Sequence, residues 1–283
     1  MEKREKNQEI FSSFPNIWHE GALPEYDLRR RIRRMYRVGA VAAALLIPLA
    51  VAGLWRTSTA TPATVQTALA SYHVDKGVKG QVVLPDSTVI VLNSASTVNV
   101  LSDFAGAERR VYLDGEGWFE VKSDPEHPFW VETPSGISVK VTGTQFNLSN
   151  YKEEEFRVLL TRGSIELESA TPGLPSKVTP SELVSVAHGK VSAAVADEKQ
   201  KKNATAWKEG VLVFDDTPLK DAILMLERWY GVHFNVMGVD LLKERLTGEF
   251  ETETIRDVMD VLSLTHRFFY NIDGKEITIA LRK

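Results

Sequence analysis

The 283-residue chain contains no cysteine, which excludes disulfides, thiolate metal sites and cysteine nucleophiles together. Its histidines (His19, His73, His127, His188, His233 and His266) form no His-x-x-x-His pair and stand beside no cluster of further ligands. No metal site is therefore expected. Gly115–Glu116–Gly117 is followed by a strand pattern rather than a helix, so it is not a phosphate loop. There is no nucleophile elbow and no catalytic constellation, and the chain is expected to be neither an enzyme nor a cofactor binder. Asp114, Glu116 and Glu120 cluster about a turn in the manner of a glycosidase pair. Carboxylates are ordinary residents of hairpin tips and exposed strand faces, and that reading is preferred here.

Long apolar runs are equally scarce, with one exception. Val38–Trp55 carries no charge over eighteen residues. At about 1.5 Å per residue this gives about 27 Å of helix, enough to cross a hydrocarbon core. Arg29, Arg30, Arg31, Arg33, Arg34 and Arg37 precede it, and such a block resists translocation and keeps its side cytoplasmic. Tyr36 and Trp55 bracket the segment as interfacial aromatics. A cleaved signal peptide, with a small-residue site at Ala68–Ala70, is the weaker alternative, because the preceding segment and the apolar run are both too long. The expected topology is a single pass: residues 1–37 cytoplasmic, 38–55 membrane, and the rest outside.

Charge divides along the same line. Nine Lys/Arg against six Asp/Glu leave residues 1–37 at +3, while 25 basic and 32 acidic residues leave the remainder at −7. An acidic outer part gives no support for direct nucleic-acid binding.

Residues 56–72 are small and polar and read as a linker. Residues 73–196 then consist of short β-rich runs separated by turn signals at Pro85–Asp86–Ser87, Asp114–Gly115, Pro134–Ser135–Gly136 and Pro172–Gly173. The expectation is an all-β domain, a sandwich or a solenoid-like stack. The polar run in 197–206 reads as a second linker.

Residues 207–283 contain an internal repeat. Shifting by 36 residues aligns Phe214 with Phe250, Leu219 with Ile255, Asp221 with Asp257, Leu226 with Leu262 and Phe234 with Tyr270. Positions 219, 222, 223 and 226 form a helical stripe, and 232, 234 and 236 alternate as a strand. Thr217–Pro218 reads as an N-cap followed by proline at the first helical position. Each copy is strand–helix–strand, Glu276–Ala280 adds a strand, and the result is a small α+β domain of two βαβ repeats.

These residues resemble a family. Leu84–Pro85–Asp86–Ser87, Leu92–Asn93, Gly115–Glu116, Phe119–Glu120–Val121, Pro128–Phe129–Trp130–Val131 and Val141–Thr142–Gly143–Thr144–Gln145–Phe146–Asn147 are similar to the FecR family of inner-membrane sigma-factor regulators. The ending, with Trp207–Lys208–Glu209–Gly210, Arg228–Trp229–Tyr230 and Thr247–Gly248–Glu249–Phe250, resembles the short N-terminal domain of secretins and TonB-dependent receptors. The resemblance implies a relay. An outer-membrane TonB-dependent transporter contacts the periplasmic part through its signalling domain, and the cytoplasmic tail regulates an extracytoplasmic-function sigma factor as an anti-sigma factor. An intramembrane protease that trims the span near Pro48 would be one route of release. The tail of 37 residues is shorter than the family's usual one.

Within that tail, Ile10, Phe14, Ile17 and Trp18 recur at near-helical spacing with no core to bury them, which suits a partner's groove; a disordered or membrane-hugging segment, favoured by Pro15, is the alternative. The resemblance makes that partner the sigma factor. Gly143–Thr144 occupies the position where some relatives cleave themselves by hydroxyl attack on the preceding carbonyl. A tight turn or bulge is the preferred reading of that pair. The aromatic set Trp229, Tyr230, Phe234, Phe250, Phe268, Phe269 and Tyr270 reads mostly as core, with a minority forming a docking face. Glu276–Ala280 is expected to be an exposed strand open to a partner's sheet. The alternative from another class is a periplasmic docking adaptor of an envelope transport system, with no sigma partner.

Overall fold

Strand β5 (Arg109–Glu120) organises the first half of the molecule. Up to Asp114 it pairs antiparallel with β4 (Ser96–Leu101) and parallel with β6 (Phe129–Glu132). From Gly115 it pairs antiparallel with β3 (Val89–Leu92) and β8 (Gln145–Asn150). Gly115 has φ +123°, and a Cβ there would lie 2.4 Å from the Ser96 hydroxyl oxygen. Only glycine lets the two segments approach while the strand changes direction. Asp114–Gly115 is therefore not a turn between two short strands but the bend of one long strand.

This computed structural model describes residues 68–281, except 103, 105, 153 and 267 and the side chains of 239 and 240. Val38–Trp55, the arginine block, and Ile10, Phe14, Ile17 and Trp18 lie outside the described residues. Among the described residues no helix is long and apolar enough to cross a membrane.

The bend splits one thirteen-stranded sheet into two halves that share β5. One half adds β1 (Ala68–Val74), β7 (Ser138–Val141), β10 (Ile165–Glu168) and β11 (Lys177–Val178). The other adds β2 (Gly80–Val83), β9 (Phe156–Arg162), β12 (Glu182–Ala187) and β13 (Lys190–Val195). Alternate residues of both halves enclose one core that includes Val98, Val111, Phe129, Phe119, Phe146 and Val158. Phe119 and Phe146 stack at 4.9 Å with an interplanar angle of 3°. The expected all-β domain is present, as one sheet bent about a single core. Ala68–Tyr72, read as linker, belongs to β1, which pairs with β4. All but one residue of β1 keeps some exposure, so the strand has no apolar alternation to reveal it.

The polar connection is helical: α1 (Glu198–Thr205) begins with a capping box in which Asp197 accepts from the Gln200 N–H. A 3₁₀ turn, Ala206–Glu209, leads to the α+β lobe. There β14 (Leu212–Pro218), α2 (Leu219–Tyr230) and β15 (His233–Met237) form the first copy of the repeat. The second copy is β16 (Arg245–Phe250), α3 (Ile255–Thr265) and β17 (Phe268–Asp273), followed by β18 (Glu276–Leu281). Leu219, Ala222, Ile223 and Leu226 of α2 and Val258, Met259 and Leu262 of α3 are buried in a second core.

Three expectations need correction. Thr217 does not cap α2. Its hydroxyl accepts from the Asp215 N–H, and Pro218 holds the cap position without a side-chain bond. In the second copy the corresponding residue, Thr254, forms a full capping box with Asp257. Nor is Glu276–Ala280 an exposed edge. β18 lies between β15, which it pairs in parallel, and β17, which it pairs antiparallel. The expected βαβ pairing is not formed either: the two strands of each copy lie in different sheets, β14 pairing with β16 and β15 with β18, and β18 inserts beside β15, which leaves β15 and β17 as the edges.

Candidate functional site at the seam between the two lobes

Strand alternation should leave one face of β5, β8 and β9 to solvent. Yet Gly117–Trp118–Phe119, Phe146–Asn147–Leu148 and Val158–Leu159–Leu160 are each buried without interruption. Both faces of the sheet are covered there, and the second face carries polar groups. The Glu116 carboxylate accepts from Asn93 Nδ2 at 2.7 Å and from Asn147 Nδ2 at 2.9 Å. Asn147 Oδ1 in turn accepts from the indole Nε1 of Trp207, at 3.1 Å, in the 3₁₀ turn entering the second lobe. Burial raises the Glu116 pKa, opposed by the hydrogen bonds from Asn147 and Asn93 and by the charges of Arg228 and Arg157.

Three cation–π contacts close the seam. Lys208 lies 3.4 Å from the centroid of Trp118, Lys79 3.7 Å from Trp229, and Arg228 4.0 Å from Tyr151. Burial against the neighbouring structure lowers the pKa of both Lys79 and Lys208. Arg228 also pairs with Glu154, and its carbonyl accepts from the Gly77 N–H at 2.7 Å. Gly231 ends α2 in the left-handed region at φ +65°, where an added Cβ would approach the Lys76 carbonyl to 3.3 Å. Glu227, buried at the same helix end, accepts from the Phe234 N–H and faces Lys76 at 3.6 Å. Tyr151, whose pKa is raised chiefly by burial, donates to the Ser94 carbonyl at 3.0 Å.

The sequence-derived candidates fall elsewhere or act differently. Asp114, Glu116 and Glu120 do not converge: Asp114 accepts from the Lys152 N–H and Glu120 from the Trp118 indole. Gly143–Thr144 enters β8 at a crowded point where a Cβ on Gly143 would lie 2.8 Å from Ser123. Thr144 is buried, and its hydroxyl donates to the Ser164 carbonyl at 3.0 Å. Of the aromatic set, Phe234, Phe250 and Phe268 are buried and Phe269 is exposed. Among the described residues no group of His, Asp or Glu is arranged to hold a metal ion. What this seam can do is mechanical: it binds the helix ends of one lobe to the strand ends and sheet face of the other.

A model of the FecR protein family matches residues 70–166, and a model of the FecR C-terminal region matches residues 211–279. The two stand in that order and together cover more than half of the chain.

The chain belongs to the FecR family.

Two crystal structures of a candidate anti-sigma factor from Parabacteroides distasonis, at 1.65 Å and 2.50 Å, share its fold with TM-scores of 0.68 and 0.67. Each is 27% identical, and the likeness covers 76% of this FecR-family chain and 100% or 99% of the other. A search of curated proteins gives no significant match. Asn93, Glu116, Asn147 and Tyr151 fall in the first matched region of the FecR-family chain, and Arg228 and Trp229 in the second. Trp207 lies between them.

Proposed function

We propose that this chain is a membrane-anchored regulator of an extracytoplasmic-function sigma factor, an anti-sigma factor by the family's usual sign. Residues 1–37 hold the sigma factor through Ile10, Phe14, Ile17 and Trp18. Val38–Trp55 crosses the inner membrane with the arginine block on the cytoplasmic side. The outer lobes receive the signalling domain of a TonB-dependent outer-membrane transporter. Edge strands β15 and β17 offer the backbone groups for that docking. The observation that carries this reading is the pair of FecR matches on two lobes that meet in one continuous polar seam. A docking event on the α+β lobe then acts on the β lobe as a rigid body.

On this reading Gly143–Thr144 serves packing, and the chain runs as one full-length band. Fragments beginning at Thr144 would overturn that part. The central test is co-purification of the tagged full chain with the sigma factors of its host. Capture of one sigma factor, lost in the Phe14→Asp, Trp18→Ala variant, is the expected result. A chain that captures none is an anchored adaptor, and the sigma reading falls.

A further inference from the structure

The hydrogen bonds running from Asn93 through Glu116 and Asn147 to Trp207 have a single permitted direction. An amide side chain can turn either its N–H₂ or its carbonyl toward a neighbour, whereas an ionised carboxylate only accepts and an indole N–H only donates. Glu116 therefore draws the N–H₂ of Asn147 toward itself and leaves the Asn147 carbonyl facing Trp207, which can only donate to it. Asn93 is turned the same way, its carbonyl accepting from the Ser94 N–H at 2.8 Å. Reversing Asn147 would set its carbonyl against the carboxylate and its N–H₂ against the indole N–H. Asn147 and Trp207 are both buried, so a broken link leaves unpaired polar atoms away from water.

We propose that Glu116 is a positioning residue that sets the polarity of a latch, holding the 3₁₀ turn at Trp207, and through it the entry to the α+β lobe, against the β lobe. The latch is the point at which a load applied to the second lobe is passed to β5, the strand shared by both halves of the sheet. The proposal deepens the relay reading above and rests on it for its purpose, though not for its chemistry.

A carboxylate–amide exchange tests the chemistry. In Glu116→Gln, the new N–H₂ opposes the N–H₂ of one asparagine. In Asn147→Asp, two carboxylates face each other. In the double variant, Glu116→Gln with Asn147→Asp, the amide now at position 116 donates to the carboxylate now at position 147 and accepts from Asn93. That carboxylate can still accept from Trp207. A polarity requirement predicts that two damaging changes repair each other.

Hydrogen exchange on the full chain in detergent reads the latch at the Gly210 and Val211 amides, which bond to the Trp207 and Ala206 carbonyls at 3.1 Å each. Each single variant is expected to raise exchange there on the order of tenfold, and the double variant to return it close to wild type. A double variant no closer to wild type than the singles, or no change in Glu116→Gln, overturns the proposal. Should an exchange variant fail to fold, Trp207→Phe, which removes the donor alone, must reproduce the single-variant effect, and an unchanged exchange rate overturns the latch. Sigma-dependent transcription is measured alongside. If the repair occurs but transcription is the same in every variant, the latch stands and the relay reading is the one lost.

Discussion

The guanidinium of Arg228, at the end of α2, lies over the ring of Tyr151 beyond the end of β8 and pairs with Glu154 on the same segment. One side chain thus ties the helix of one lobe to the strand ends of the other, and its backbone carbonyl adds the bond from Gly77. Arginine suits this position because its planar group stacks and pairs at once.

Replacing Arg228 by alanine is expected to weaken the docking of the lobes by about 2 kcal/mol, the scale of a desolvated cation–π contact. The partly exposed pair with Glu154 adds little to that figure. Calorimetry should then show two unfolding transitions where the native chain shows one. Arg228→Lys should recover less than half of the loss. A single, unshifted transition in Arg228→Ala would mean that the seam does not couple the cores.

Gly115 and Gly136 both have positive φ, but their surroundings differ. A Cβ at Gly115 would meet Ser96 within 2.7 Å at three atoms, whereas at Gly136 nothing lies within 4 Å. Gly136→Ala should cost about 1 kcal/mol, for backbone strain alone. Gly115→Ala should cost roughly 3 kcal/mol or more, because backbone as well as side-chain atoms must shift. Urea midpoints of the two variants decide this, and equal losses would show that the bend of β5 does not depend on close approach.

Phe119→Ala removes a fully buried ring from its stack with Phe146 and should destabilise the chain by about 4 kcal/mol. Phe268→Ala tests the second core at a position that is 1% exposed, with a loss of similar size. If the seam holds, each substitution lowers the melting temperature of the whole described unit. Two independent melts in either variant would contradict it.

Tyr230 donates to the Glu253 carbonyl, and its pKa is pushed up to about 12, first by burial and then by Glu253 and Asp257. A raised folded-state pKa means that the unfolded chain loses this proton first as pH rises. Stability from Tyr230 is therefore complete below the ordinary tyrosine value near 10 and declines as pH approaches 12. Tyr151, also raised by burial, adds to the same alkaline slope. Denaturation at successive pH values should show Tyr230→Phe losing part of that slope, and an unchanged slope would refute the assignment.

Much of the fold was legible because its signals are local. The repeat in the last lobe shows in the spacing of Leu219, Ala222, Ile223 and Leu226, and α2 buries those residues. The strands announce themselves by alternation, as at Val98 and Val100 or Val139 and Val141. β1 escaped because its residues stay mostly exposed, and the bend at Gly115 escaped because a glycine between two extended runs reads as a turn. The Thr217 cap failed because β14 runs on to Pro218, so pairing with β16 decided the helix start.

The seam left only a faint mark. Trp118–Phe119 and Val158–Leu159–Leu160 place large apolar residues in succession, a sign of strands covered on both faces. Nothing local indicates what covers them. Glu116 looked like one more carboxylate beside a turn, because its partners Asn93 and Asn147 lie 23 and 31 residues away.

The sequence by itself determined the order of the parts: a cationic segment, an apolar run, short alternating strands, and a duplicated strand–helix–strand unit. Periodicity, charge and composition act over a few neighbouring residues, and chain order preserves them. Only the tertiary structure decided that β5 serves both halves of the sheet, that β18 is central rather than an edge, and that Trp207 closes on Asn147. Those outcomes depend on which distant segments satisfy one another's backbone and buried polar groups, and a chain read locally does not contain that information.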